Sequence, residues 1–200
     1  MKGELRKFPA ATGRSSRKAL VLCAFLPLFL LLQGATSPML QAQGAYSLST
    51  TIADNGQQFV TFDITAIQPV RLYRFWNTFN VGSGTVEIWT RQGGASNVNT
   101  GWIFLGQANF NSTNSTAYTE IPLNLDFMIN ANEKWGFLIF CSGSTTLRYK
   151  TGVTPYIFSD AFMSIDTEKW GGSGTTNPLA GTTNLSFSFY PRQFCGKVTY

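Results

Sequence analysis

Strict alternation of apolar and polar side chains runs through this chain and leaves it few folds to adopt. In "QFVTFDITA", Val60, Phe62 and Ile64 alternate with Phe59, Thr61, Asp63 and Thr65. A repeat of two places successive side chains on opposite faces of an extended backbone, and helical spacing does not accommodate it. The pattern returns in "TVEIWTRQG", where Val86 and Ile88 oppose Thr85, Glu87 and Trp89, and then in "WIFLGQANF" and "TAYTEIPLNL". It returns again in "TTLRYKTG", with Leu147 and Tyr149 facing inward and Arg148 and Lys150 outward. Two runs are apolar throughout. "VRLYRFWNTF" carries Val70, Leu72 and Trp76 on one face and Tyr73, Phe75 and Phe79 on the other, and reads as a central strand covered on both sides. After a turn at 130–132, the run Trp135 to Cys141 is of the same kind. "NLSFSFYPRQFCGKVTY" closes the chain as one or two strands broken near Pro191. Turn signals separate about nine or ten such strands at spacings of roughly 8 to 12 residues, the pattern of an all-β antiparallel sandwich of jelly-roll type.

The N-terminus follows different rules. A basic stretch precedes an unbroken apolar run of 13 residues, Leu20 to Leu32, interrupted in character only by Pro27. That length suits the core of an export signal better than a bilayer span. We therefore expect residues 1–42 to be a signal peptide, cut between Ala35 and Gly44 and most plausibly after Ala42, with one sandwich domain over 43–200 and no membrane span after cleavage. Cys23 follows Leu22, where lipid modification would need a small residue. Removing the leader takes six of the 15 basic residues (Lys2, Arg6, Lys7, Arg14, Arg17, Lys18) and one of the ten acidic ones (Glu4), leaving nine of each. The basicity of the whole chain thus belongs to export, and a neutral domain of this kind is not expected to bind nucleic acid.

Two of the three cysteines survive cleavage, and in an exported chain Cys141 and Cys195 are expected to form one disulfide, tying the last strand to an internal one. Closing a loop of 54 residues would stabilise the fold by about 4 kcal/mol in the chain-entropy account. A catalytic thiol would want a histidine base, and the chain has no histidine.

No cofactor is implied by any motif. Asp160, Asp166 and Glu168 are the closest approach to a calcium set, but their spacing lacks the alternate carboxylates and glycine of a calcium loop, so no metal is expected. Glu87 and Glu120 lie on or beside strands and are the pair to consider for glycoside hydrolysis, though nothing marks either as buried. The glycine-rich "WGGSGTTNPLAGTTN" reads as a flexible loop. Within it Trp170 belongs to no alternating core pattern, whereas Trp102 and the strand tryptophans 76, 89 and 135 read as core. An exposed tryptophan beside hydrogen-bonding side chains is suited to stacking a sugar ring, so Trp170, Asp166 and Asn177 are the expected ligand-binding residues. The opposing reading folds Trp170 back to plug one end of the sandwich. Asn111, Asn114 and Asn184 head glycosylation sequons that matter only in a eukaryotic secretory pathway.

In order along the chain stand "VEIWTR", "GWIFLGQA", "IPLNLDFMINANEKWGFLIF", "LRYKTG", "FSDAFMSI" and "FYPRQFCGKVTY". This succession resembles an uncharacterised β-sandwich unit that recurs in exported bacterial proteins and would cover roughly residues 60–200. In that unit a strand like "VEVYYRTG" precedes "W..LG.A", and the end lies near "F.PR.WNGTIYY". Cys195 stands where the unit carries Asn, and Cys141 has no regular counterpart. The resemblance implies a bacterial, exported sandwich without catalytic residues, and hence no glycans on the sequons. The expected function is a secreted or cell-surface, non-enzymatic binding module whose partner is an extracellular glycan or surface protein. The alternatives are a self-assembling envelope or matrix component and, third, a glycoside hydrolase.

Overall fold

The computed structural model describes residues 46–152 and 154–200; the expected signal peptide and its cleavage site lie outside the described residues. Among the described residues there are sixteen strands. In chain order they are β1 (Ser47–Ser49), β2 (Asn55–Gln57), β3 (Phe59–Ala66), β4 (Val70–Leu72), β5 (Arg74–Thr78), β6 (Gly82–Gln92), β7 (Ile103–Ser112) and β8 (Tyr118–Glu120). There follow β9 (Phe127–Ile129), β10 (Lys134–Gly143), β11 (Leu147–Thr151), β12 (Ile157–Ser159), β13 (Met163–Asp166), β14 (Lys169–Asn177), β15 (Thr182–Phe194) and β16 (Gly196–Thr199). The larger number than the expected nine or ten comes from short strands of three residues, too brief for alternation to register.

All pairings are antiparallel. A ten-stranded sheet runs β2-β11-β15-β14-β3-β10-β6-β7, with β13 pairing β3 and β12 pairing β13; a four-stranded sheet runs β1-β16-β5-β8; β4 and β9 form a separate ribbon. The two sheets pack face to face, giving the all-β sandwich expected. The core between them holds Val60, Phe62 and Ile64 of β3, Val86 and Ile88 of β6, and Phe137 and Ile139 of β10, which are the inward positions of the alternation. Aromatic rings bridge the layers. Phe62 stacks on Phe194 with centroids 4.0 Å apart and meets Phe75 of the small sheet edge-on at 5.5 Å. Phe75 also meets Phe137 edge-on at 5.1 Å. Each such ring, fully buried, contributes about 2–3 kcal/mol by removal of apolar surface from water.

The alternation understated burial in one place. Phe59, Thr61 and Asp63, on the outer face of β3, are also buried. A second apolar cluster covers that face, built from Phe59, Trp89, Trp102, Leu138, Phe140 and Leu185, with Phe104 and Phe187 packed against it. Its lid has two parts. One is the long β14–β15 hairpin, which extends past β3 and reaches over β6, where the Thr176 hydroxyl donates to the Glu87 carboxylate. The other is the β6–β7 loop. There Asn99 takes the Leu185 N–H on Oδ1 at 2.7 Å and donates to the Leu185 carbonyl at 3.1 Å, while the Thr183 hydroxyl donates to Asn99 at 3.1 Å. Close backbone approach demands glycine at two points. A Cβ on Gly136 would lie 2.1 Å from the Ala95 nitrogen, and one on Gly172 would lie 1.9 Å from the Ser186 carbonyl oxygen.

Three sequence expectations need correction. The run "VRLYRFWNTF" is two strands in two sheets: β4 pairs β9, and after Tyr73 the chain enters β5 beside β16. It is not covered on both sides, since Arg74 is exposed and Trp76 half-buried. The glycine-rich "WGGSGTTNPLAGTTN" is no flexible loop. It is β14, a 3-10 turn at Pro178–Ala180 and the start of β15, with Gly181 in the left-handed region at φ 63° closing the turn. Finally, Cys141 and Cys195 do not form a disulfide: both are buried free thiols. The Cys141 Sγ donates to the Thr145 carbonyl at 3.6 Å and sits against the backbone of Leu147, while Cys195 Sγ donates to the Gln193 carbonyl at 3.4 Å and sits by Lys150. No bond joins the two sulfurs, and each thiol has its own backbone carbonyl as partner. Burial pushes each thiol up to about 12.

Candidate functional site

The register of β3 and β13 sets up the region around Trp170. Asp166 lies opposite Asp63 across the β13–β3 ladder, and β14 then takes over the same edge of β3, with Gly171 opposite Val60. Trp170 sits at this handover. The Thr61 hydroxyl links to its backbone twice, accepting from the Trp170 N–H and donating to its carbonyl, both at 3.0 Å. Register shifts between Lys169 and Gly171 and between Gly171 and Ser173 mark bulges that re-aim the side chains here. The indole ends half-buried against Tyr190 of β15, with centroids 4.9 Å apart and planes tilted by 44°. Tyr190 is 50% exposed and its neighbour Phe189 is 37% exposed. Arg192 lies 4.9 Å from the Phe189 ring and 5.1 Å from that of Tyr149, bracing the patch from below by cation–π contact.

Polar groups border these rings. Asp166 Oδ1 accepts the Glu168 N–H at 3.0 Å, and Oδ2 accepts from Lys169 Nζ. Lys169 Nζ also lies 3.5 Å from Asp63 Oδ2, and Lys134 Nζ approaches the same oxygen at 3.2 Å. Burial works against the Lys169 charge, but the hydrogen bond it donates to Asp166 and the charge of Asp63 outweigh it and hold the ammonium above its ordinary range. Asp63, almost wholly buried, also takes the Ala95 N–H at 2.6 Å and so pins the loop after β6. The Tyr190 phenol is raised by partial desolvation and then by the charge and hydrogen bond of Glu168. It therefore stays protonated, and the patch presents a hydroxyl, two carboxylates and an ammonium around tilted aromatic faces.

Of the three residues expected to bind, the structure groups two. Asp166 and Trp170 flank Lys169, whereas Asn177 stands at the far end of β14, seven residues or about 23 Å of strand away. There its Oδ1 accepts the Ala180 N–H at 3.2 Å and shapes the hairpin turn. As for the opposing reading, in which Trp170 plugs one end of the sandwich, the indole packs on Tyr190 of β15. Tyr190 is the member that sequence reasoning passed over. Its only signal was an aromatic pair, Phe189-Tyr190, breaking the alternation of β15.

The remaining tryptophans divide. Trp89 and Trp102 are buried as expected. Trp135 is half-buried against Phe127 at 5.0 Å, and Trp76 lies on the outer face of the small sheet, under Lys197 Nζ at 3.8 Å from its ring. The carboxylates singled out in the sequence stand apart. Glu87 is buried on the outer face of the large sheet, accepting from Trp89 Nε1 at 3.2 Å and from Thr176, while Glu120 is on the small sheet paired with Arg74. Asp160 caps its own turn, accepting from the N–H groups of Phe162 at 2.8 Å and Met163 at 3.0 Å, and takes the Tyr200 hydroxyl on its other oxygen. Among the described residues, no three acidic, cysteine or histidine side chains gather to hold a metal ion. No protein-family model and no curated protein matches this chain, so the candidate site rests on its own geometry.

Proposed function

We propose that this protein is an exported, non-enzymatic binding module that holds a glycan against the Trp170–Tyr190 face. The observation that carries the reading is the surface aromatic pair of half-buried Trp170 and exposed Tyr190, two rings with centroids 4.9 Å apart, bordered by Asp166, Glu168 and Lys169. Sugar rings present C–H faces that stack on aromatic rings and hydroxyls that pair with carboxylates and ammonium groups, so one short surface meets both needs. Rigid strands on either side fix the rings, which lowers the entropy lost on binding. Export is supported by the basic, apolar N-terminal sequence. The test is a glycan array probed with the 43–200 protein and with Trp170→Ala and Tyr190→Ala. Loss of the same signals in both variants, with unchanged circular dichroism, supports the site; signals that persist in both remove it.

A further inference from the structure

The sheet edges of this molecule are unequal. The small sheet ends in β1 and β8, and the large one in β2 and in the side strand β12, each of three residues. Short edge strands of this sort offer little template for pairing with another chain. The other end of the large sheet is β7, ten residues long, of sequence IFLGQANFNS. It carries no charge and no proline. Natural edges of such length are usually blunted by lysine, proline or a bulge. The only such device in β7 is the register shift at Ile88/Trp89, opposite Gly106, which bends the first half and leaves 107–111 regular.

The side chains on this regular half point the same way. Ser83 Oγ donates to Asn111 Oδ1 at 3.0 Å and Thr85 Oγ1 donates to Asn109 Oδ1 at 2.8 Å. Both hydroxyls belong to β6, so each amide turns its oxygen toward β6 and, being planar, its NH2 group toward the open edge. Gln107, Asn109 and Asn111 are all exposed. The edge therefore shows backbone N–H and C=O groups flanked by neutral amides, each both donor and acceptor.

The geometry points to β7 as a self-association edge, pairing antiparallel with β7 of a second copy about a two-fold axis. A copy of itself fits because the edge is chemically self-complementary: amides pair with amides, and no charge meets its like. A charged peptide would find no counter-charge along the strand. The isologous arrangement closes on itself as a dimer and extends the sheet across the axis. A pairing stretch of five residues per copy supplies only a handful of backbone hydrogen bonds, so the dimer is weak, with a Kd on the order of 100 μM.

Sedimentation equilibrium of the 43–200 protein from about 5 to 500 μM tests this. The expected result is a monomer at the low end and a dimer at the high end, with amides of 107–111 exchanging more slowly at the high concentration. Asn109→Lys sets like charges opposite each other at the axis, and Gln107→Lys breaks the amide pairing by placing a lysine opposite Asn111 of the second copy; both are expected to abolish the dimer while the urea midpoint stays within the range of an exposed substitution. A monomer at every concentration, or a dimer that both lysine variants leave intact, overturns the proposal.

Discussion

Asn99→Ala tests whether the β14–β15 hairpin is a separately fastened layer. The Asn99 side chain makes three hydrogen bonds to the hairpin: to the N–H and the carbonyl of Leu185 and to the Thr183 hydroxyl, at 2.7 to 3.1 Å. A net contribution of about 0.5–1.5 kcal/mol per bond gives roughly 1.5–4.5 kcal/mol. Asn99 is itself exposed, so water can re-enter once the amide is gone, and we expect the low end, about 2 kcal/mol. In urea that corresponds to a midpoint lower by about 1 M for a slope near 2 kcal/mol/M. Because Leu185 and Phe187 cover the outer cluster and not the inter-sheet core, hydrogen exchange should accelerate at 173–187 first, with Phe62 and Phe137 amides still protected. Asn114→Ala, which removes only contacts to nearby Thr116, is the control and should cost less than about 0.5 kcal/mol. An Asn99→Ala protein with the wild-type midpoint and wild-type exchange over 173–187 would refute the reasoning.

Further outcomes follow from the packing and the thiols. Gly172→Ala forces a methyl group to within 1.9 Å of the Ser186 carbonyl oxygen, a backbone atom that cannot swing aside. We expect a loss of at least about 2 kcal/mol in urea unfolding and disturbed Trp170 fluorescence; a wild-type midpoint would contradict the β14–β15 register. Cys141 and Cys195 should be inert to Ellman's reagent at pH 8 in the native protein and react fully in guanidinium. With the folded thiols at about 12 against an ordinary 9.0, the unfolded chain loses its thiol protons first as pH rises. Stability is therefore fully present below pH 9 and declines from there to pH 12. Cys141→Ser/Cys195→Ser should flatten that decline, and an unchanged slope would tell against buried neutral thiols.

The inter-sheet core was legible where its strands alternate. Val60, Phe62 and Ile64 announced an inner face, and that face packs as the period requires. What escaped has a physical cause in each case. β14 is mostly Gly, Ser and Thr, so no side-chain pattern marks it, and its extended form is imposed by ladder bonds to β3 and β15. A two-faced apolar run at 70–79 suggested a central strand, but two sheets share it, divided at Tyr73. Counting two cysteines in an exported chain suggested a bridge, whereas their places beside β11 depend on strand order, which no local spacing encodes. Trp170 stood out for lacking a core partner, and Tyr190 went unnoticed because its pairing to Trp170 spans 20 residues and two bulges.

The central claim, that ligand binds at Trp170 and Tyr190, is tested most directly by titrating the array-selected glycan into isotope-labelled 43–200 protein and following the five indole N–H resonances. The expected result is a saturable shift of the Trp170 indole and of the Tyr190 and Glu168 amides, with the indoles of Trp76, Trp89, Trp102 and Trp135 unmoved. Shifts centred on Trp76 and Lys197, or on any face remote from β14 and β15, would contradict the account.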